Sequence, residues 1–257
     1  MEATDYNCIT CKVRSCSLLS ACDMPTLKAI SAYKYPRSLQ KGERLFSEGD
    51  PVRGICFIKQ GLLKVELNGK LGRPLILQIA GRGAVFGHRA NASHAFHTFS
   101  ATAASDVSYC YISRNLFNKI TDRSPELKRQ LVNRFLDELE LVEKKIVNLA
   151  HKTVREKLAE ALLMIAEAYQ YEETKLSFQI DFCRQEIADL ADTTKEQVSK
   201  ILNDFEKEGL IKCVARTFSY LDIERLRIIA GYSSLPDEEK NTDYSSSPNK
   251  RYNSLDI

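Results

Sequence analysis

Nine of the chain's eleven glycines fall between Gly42 and Gly87, at Gly42, Gly49, Gly54, Gly61, Gly69, Gly72, Gly81, Gly83 and Gly87. Turns this frequent leave no length for ordinary helices, so the stretch has to be built from short strands. The run GLLKVELNG shows the strand period: Leu63, Val65 and Leu67 fall on one face, Lys64 and Glu66 on the other. From about Leu39 to Ile112 the pattern predicts a β-sandwich or β-roll, although any small antiparallel β domain would satisfy it.

The period then changes. Ser124-Pro125-Glu126 is a helix start, with a capping serine, a proline that needs no N–H and an acid against the positive helix end. Behind it Val132, Phe135, Leu139, Val142, Ile146 and Leu149 recur at alternating spacings of three and four, a seam with a period near 3.5. A helix of about 26 residues with one apolar seam is long for a globular interior. It serves either as a core helix on the β domain or, as preferred here, as the seam of a dimer.

With 257 residues, 44% hydrophobic and 28% charged, the chain has the composition of a globular protein with two domains. No run approaches the roughly 20 apolar residues of a membrane helix, so no membrane partner is expected. The start MEATDYNCITCKVRSC lacks the layout of a signal peptide, so the protein is expected to stay in a reducing cytoplasm, where its eight cysteines would not be disulfides. Charge divides as +8 over residues 1–150, −3 over 151–232 and −2 beyond, with no block that argues for or against nucleic acid. The tail from Ser233 is too polar to offset its ordering entropy and is expected to be disordered.

The segment CRQEIADLADTTKEQVSKILNDFEKEGLI carries two short amphipathic helices. Ile187 and Leu190 on the first and Val198, Ile201, Leu202 and Phe205 on the second are spaced to share a core, with small Ala188 at their crossing. Asp192 holds the tight turn, as one of the few residue types that tolerate a left-handed backbone. Thr194 to Gln197 reads as a T-x-x-Q capping box that starts the second helix. The exposed first turn then carries Lys195, Glu196, Ser199 and Lys200, the positions that reach base edges in a helix-turn-helix. Glu196 can accept from a cytosine amino group and Lys200 can donate to guanine O6 and N7; the alternative is a surface ion pair between the two. Thr193, Thr194 and Arg184 are placed to meet phosphates.

In this order, a glycine-punctuated LQKGERLFSEGDPVRGICFIKQGLLKVE, a seam helix and RQEI followed by E-x-V-S-K-I-L and GLI resemble the Crp/Fnr family of bacterial transcription regulators over roughly residues 8–230. The resemblance implies an α+β chain: a cysteine-containing leader (1–22), a cyclic-nucleotide-binding-like β-roll sensor (23–122), a long dimerisation helix (123–150), a C-terminal winged helix-turn-helix (151–232) with a small β-wing over about 214–222, and the tail (233–257). It implies a homodimer on double-stranded DNA with an inverted-repeat site, with RNA polymerase as a further partner. The family usually has arginine where Lys200 stands, so the bidentate fork is lost there.

Family members that bind cyclic AMP carry a glutamate for the ribose and an arginine for the cyclic phosphate. Here FGHRANASHAFHTFSATAA puts His88 and His97 in those places, so cyclic AMP is not expected to bind. Cys8-x2-Cys11-x4-Cys16 in the leader and Cys110 in VSYCYI are similar to the Fnr branch, whose cysteines hold a [4Fe-4S] cluster sensing oxygen, nitric oxide or redox state; the third spacing is one residue short of that branch. Four such thiolates suit iron-sulfur or zinc; a structural or redox-active thiol site without iron and ordinary buried cysteines are the alternatives. Cys22, Cys56, Cys183 and Cys213 read as packing residues, and His88, His94 and His97 could bind metal or haem, although their irregular spacing in an apparent loop argues against it. A regulator gated by a small molecule in the β-roll, with no metal, is a second reading, and an electron-transfer protein using the cysteine site a third. An enzyme is not expected, since P-loop, G-x-G-x-x-G, H-E-x-x-H and G-x-S-x-G motifs are all absent.

Overall fold

A computed structural model describes residues 7–69, 72, 74–91, 96–171, 178–180, 182–214 and 217–232. The tail from Ser233, His94 and wing residues 215 and 216 lie outside the described residues.

After a short 3-10 turn at Leu18–Ala21 and helix α1 (Met24–Tyr33), eight strands follow: β1 (Tyr35–Leu39), β2 (Arg44–Phe46), β3 (Gly54–Gln60), β4 (Leu63–Asn68), β5 (Pro74–Ala80), β6 (Val85–Phe86), β7 (Ser100–Ala103) and β8 (Val107–Ser113). They form two antiparallel four-stranded sheets, β1-β8-β3-β6 and β2-β7-β4-β5. Phe46, Ile58, Leu63, Val65, Ala101 and Val107 fill the space between them. The other face of the first sheet, with Ile55, Phe57 and Ile112, is covered by Leu27, Ile30, Phe117 and Leu131 from helices. Strand β3 is therefore buried on both faces, which is why it reads ICFI without alternation.

The alternation expected in GLLKVELNG holds only at its start. A bulge between Val65 and Glu66 breaks the period, so Leu67 is half-buried instead of sharing the core with Leu63 and Val65. Nor does the Lys64 and Glu66 face look into solvent: the second domain covers it, and Leu62, Ile76 and Ala104 belong to that domain's core. Burial of Ile76 alone is worth about 1.5 to 3 kcal/mol.

Helices α2 (Arg114–Arg123) and α3 (Pro125–His151) follow. As the sequence predicts, Ser124 caps α3, its Oγ accepting from Leu127 N at 3.2 Å, with Pro125 in the first turn. The second domain comprises α4 (Val154–Ala168), β9 (Phe178–Gln179), α5 (Arg184–Leu190), α6 (Lys195–Lys207), β10 (Ile211–Val214), β11 (Thr217–Tyr220) and α7 (Ile223–Ile229), its strands ordered β10-β11-β9. The wing thus starts at Ile211, earlier than the expected 214, and gains β9 as a third strand. Among the described residues no helix is long and apolar enough to cross a membrane.

Candidate DNA-reading and sensing sites

Helices α5 and α6 meet through Ile187, Ala188, Leu190, Val198, Leu202 and Phe205, all buried; Ile201, expected in the same core, is only half-buried at its edge. Asp192 makes the turn at φ +48°. Thr194 caps α6, its Oγ1 accepting from Gln197 N at 3.3 Å. Only half of the expected capping box forms, because the Gln197 carbonyl takes the Thr193 hydroxyl instead. The side chains of Lys195, Glu196 and Lys200 are exposed, while Ser199 is half-buried with its Oγ donating to Lys195 O at 3.0 Å. Of the expected phosphate contacts, Thr193 and Thr194 sit at the mouth of α6. Arg184 does not extend outward: it donates to Cys213 Sγ at 2.8 Å and lies 5.4 Å over the Phe218 ring, held by the wing.

In the first domain, His88 is buried where the sequence comparison puts a ribose-binding glutamate. Its Nε2 lies 3.0 Å from Glu138 Oε1 on α3, and its ring stacks on Phe135 at 5.5 Å. Arg89 reaches Glu138 Oε2 at 2.8 Å and Arg134 reaches Oε1 at 3.2 Å. Burial pushes the Glu138 carboxyl up, but the hydrogen bonds and charges of His88 and Arg89 outweigh it and hold the group down at about 2. His97 stacks on Phe46 at 3.5 Å, and burial lowers its pKa against the pull of Asp50. This position therefore holds self-complementary charge, tied to the long helix.

The cysteines gather only in part. Cys8 and Cys110 are buried in one layer, with Cys22 packed against it. Burial raises the Cys110 thiol, Lys34 and Lys59 pull it down, and Cys8 and Cys11 stand near enough to raise it again. Cys22, read from the sequence as core, is pushed up to about 11 by burial, then by Asp23 and Cys8. Cys16 stands apart: it is exposed, its Sγ donates to Val13 O at 3.3 Å, and it lies against Gly83. Gly83 has φ +87°, and a Cβ there would come within 2.3 Å of Cys16 O, so the leader's path depends on that glycine. Among the described residues no group of three or more His, Cys, Asp or Glu could hold a metal ion. The donor chemistry suits an iron-sulfur cluster, but this arrangement of Cys8, Cys11, Cys16 and Cys110 does not.

Along α3, Val132, Leu136, Leu139, Val142 and Ile146 are exposed. Two predicted seam residues leave this face: Phe135 packs on the first sheet's helical layer and His88, and Leu149 is half-buried. Leu136 takes the place of Phe135. With apolar side chains at adjacent positions, spacing alone does not say which one turns inward.

The chain matches the cyclic nucleotide-binding domain over residues 36–124 and the Crp-like helix-turn-helix domain over residues 156–229. The transcriptional activator protein FnrL of Cereibacter sphaeroides is 26% identical over 211 residues, covering 80% of this chain and 84% of that protein. The CRP-like cAMP-activated global transcriptional regulator of Mycobacterium tuberculosis is 28% identical over 202 residues, 78% of this chain and 90% of that one. The solved structure of FixK2 from Bradyrhizobium japonicum shares the fold with a TM-score of 0.68 at 23% identity, covering 76% of this chain and 96% of that one.

Proposed function

The chain belongs to the Crp/Fnr family and is a DNA-binding transcription regulator of that type, and we propose that it works in the cytoplasm as a homodimer reading an inverted repeat. The observation that carries this reading is the first turn of α6, where Lys195, Glu196 and Lys200 are exposed on a helix whose opposite face is fully packed. Glu196 would accept from cytosine N4, Lys200 would donate to guanine, and Lys195 and Ser199 would contact neighbouring base edges. Thr193 and Thr194 would meet phosphate, with Arg184 joining them once it leaves Cys213. The exposed stripe of α3 supports the dimer, which would present the two recognition helices roughly 34 Å apart. RNA polymerase is the expected further partner.

The sensed signal is proposed to be oxygen, nitric oxide or redox state acting at Cys8, Cys11 and Cys110. Support comes from their convergence and from the similarity to FnrL. Because Cys16 stands apart, no step is derived through a [4Fe-4S] cluster. The cyclic-nucleotide-binding domain match favours a second reading, a small-molecule effector in the β-roll. For cyclic AMP the site offers Glu138 already paired with His88, Arg89 and Arg134, a poor exchange for a ribose and a cyclic phosphate, and we propose that cyclic AMP is not the effector.

The test of DNA reading is selection of bound sequences followed by footprinting, with Glu196→Ala beside the natural chain. The natural chain should protect an inverted repeat, and the variant should lose discrimination at one base pair per half-site by about 1 to 3 kcal/mol, with random DNA bound as before. Equal loss on specific and random DNA would refute the assignment of Glu196.

A further inference from the structure

Helix α5 is gripped at both ends by lysines that are not part of the DNA-binding domain. At its start, Lys64 of β4 places Nζ 2.8 Å from Glu186 Oε1 and 3.2 Å from Glu66 Oε1. Glu66 Oε2 accepts from Thr102 Oγ1 at 2.8 Å, and Glu186 Oε2 accepts from the Cys183 N–H at 2.7 Å. These side chains are only 12%, 11% and 21% exposed for Lys64, Glu66 and Glu186. At the other end, Lys145 of α3 donates to Leu190 O at 3.0 Å, on the negative end of the helix dipole. Between the two grips, Leu62, Ile76 and Ala104 share a core with Ile187 and Leu190.

The consequence follows from charge balance. One cation faces two carboxylates from different domains in a poorly solvated seam, so it neutralises a repulsion that would otherwise part them. The helix it holds runs through the Asp192 turn directly into α6. In the gripped arrangement the Lys195, Glu196 and Lys200 turn stays exposed, so the grip is compatible with reading DNA.

We propose that Lys64 is a positioning residue for DNA recognition: bridging Glu66 and Glu186, it sets how the sensor sheet presents α5 and α6, and so which half-site separation the dimer reads. This rests on the reading of the chain as a dimer on an inverted repeat. Lys64 touches no base; it acts through the orientation of α5.

The experiment measures affinity by fluorescence anisotropy on three duplexes: the selected inverted repeat, the same repeat with one base pair inserted at its centre, and a single half-site. The chains compared are the natural protein, Lys64→Met, Lys64→Arg, and the double variant Lys64→Met with Glu186→Gln. The double variant leaves a single carboxylate in the seam, Glu66 with its hydrogen bond from Thr102 Oγ1, and retains an acceptor for the Cys183 N–H, so the repulsion between the domains is gone and it guards against a failure to fold. Lys64→Met and the double variant should bind the correct repeat about three- to thirtyfold more weakly. Both should lose most of the preference over the inserted repeat and bind the half-site as the natural protein does. Lys64→Arg should restore the preference. An unchanged spacing preference in both Met variants, an equal loss on all three duplexes, or tighter binding to the correct repeat would overturn the proposal. A natural protein that prefers no repeat would instead overturn the reading on which it rests, and that result is visible without any variant.

Discussion

Replacing Glu138 with glutamine removes the charge at the centre of the contact between the β-roll and α3. The carboxylate is held at about 2 against a usual 4.5, and each unit is worth about 1.4 kcal/mol, which gives an upper value near 3 kcal/mol. Two of its three partners, Arg89 and Arg134, are 43% and 38% exposed, so solvent screening brings the expected loss to about 2 kcal/mol at neutral pH. The sign follows from the direction of the shift. A carboxylate depressed in the folded state stabilises above its unfolded value near 4.5 and loses that contribution as pH falls through the folded value near 2. Thermal unfolding of Glu138→Gln beside the natural chain should therefore show a deficit of roughly 4 to 8 °C at pH 7 that narrows steadily between pH 4.5 and 2. A deficit that stays constant over that range, or none at pH 7, would refute the electrostatic account and leave Glu138 as a surface residue of α3.

Two further tests address the dimer face and the thiols. Leu136→Glu, on the exposed stripe, should yield monomers in sedimentation while the chain keeps its thermal stability. Phe135→Glu, at the half-buried neighbouring position, should lower stability within each chain by about 1 to 3 kcal/mol, the cost of setting a polar group against an apolar layer. Under denaturant-free alkylation followed by mass spectrometry, Cys16 should react first, being exposed, and Cys22 and Cys56 last, because burial holds their thiols at about 11 and about 12. Early modification of Cys56 would contradict the packing described for β3.

The parts of the fold that were legible in the sequence are those set by local rules. Glycine spacing located the strands, Ser124 and Pro125 the start of α3, and Thr194 the start of α6, because turns and caps act over a few residues. What the sequence withheld depends on partners distant in the chain. The bulge after Val65 put Glu66 beneath the second domain. Phe135 and Leu136 differ by about 100° around α3, and it is the helical layer over the first sheet, together with His88, that takes Phe135 inward. Cys16 matches the spacing of a ligand more nearly than Cys22 does, yet it lies against the left-handed Gly83 and outside the layer that holds Cys8 and Cys110, while Cys22 packs against that layer. The sequence places Arg184 to meet phosphate, because nothing local announces that Cys213 and Phe218 will hold it.

Glu138 and Lys145 lie seven residues apart, two turns of α3, so they share one face and sit about 10 Å from each other along the axis. One meets the loop bearing His88 and Arg89; the other holds the last carbonyl of α5. The exposed stripe with Leu136, Leu139 and Ile146 occupies the adjoining side, Leu139 and Ile146 each standing about 100° round the helix from Glu138 and Lys145. The helix thus joins three contacts through one rigid body: effector loop, reading head and the surface assigned to a second copy. A rotation that keeps Glu138 with a displaced His88 must also carry Lys145 relative to Leu190 and turn the apolar stripe, since packed helices shift as units and do not bend locally. Lys64 gives α5 a second attachment that does not pass through α3. The reading head is therefore held from two directions, and only a signal that moves the sheet and the helix together can reorient it without breaking one of the grips.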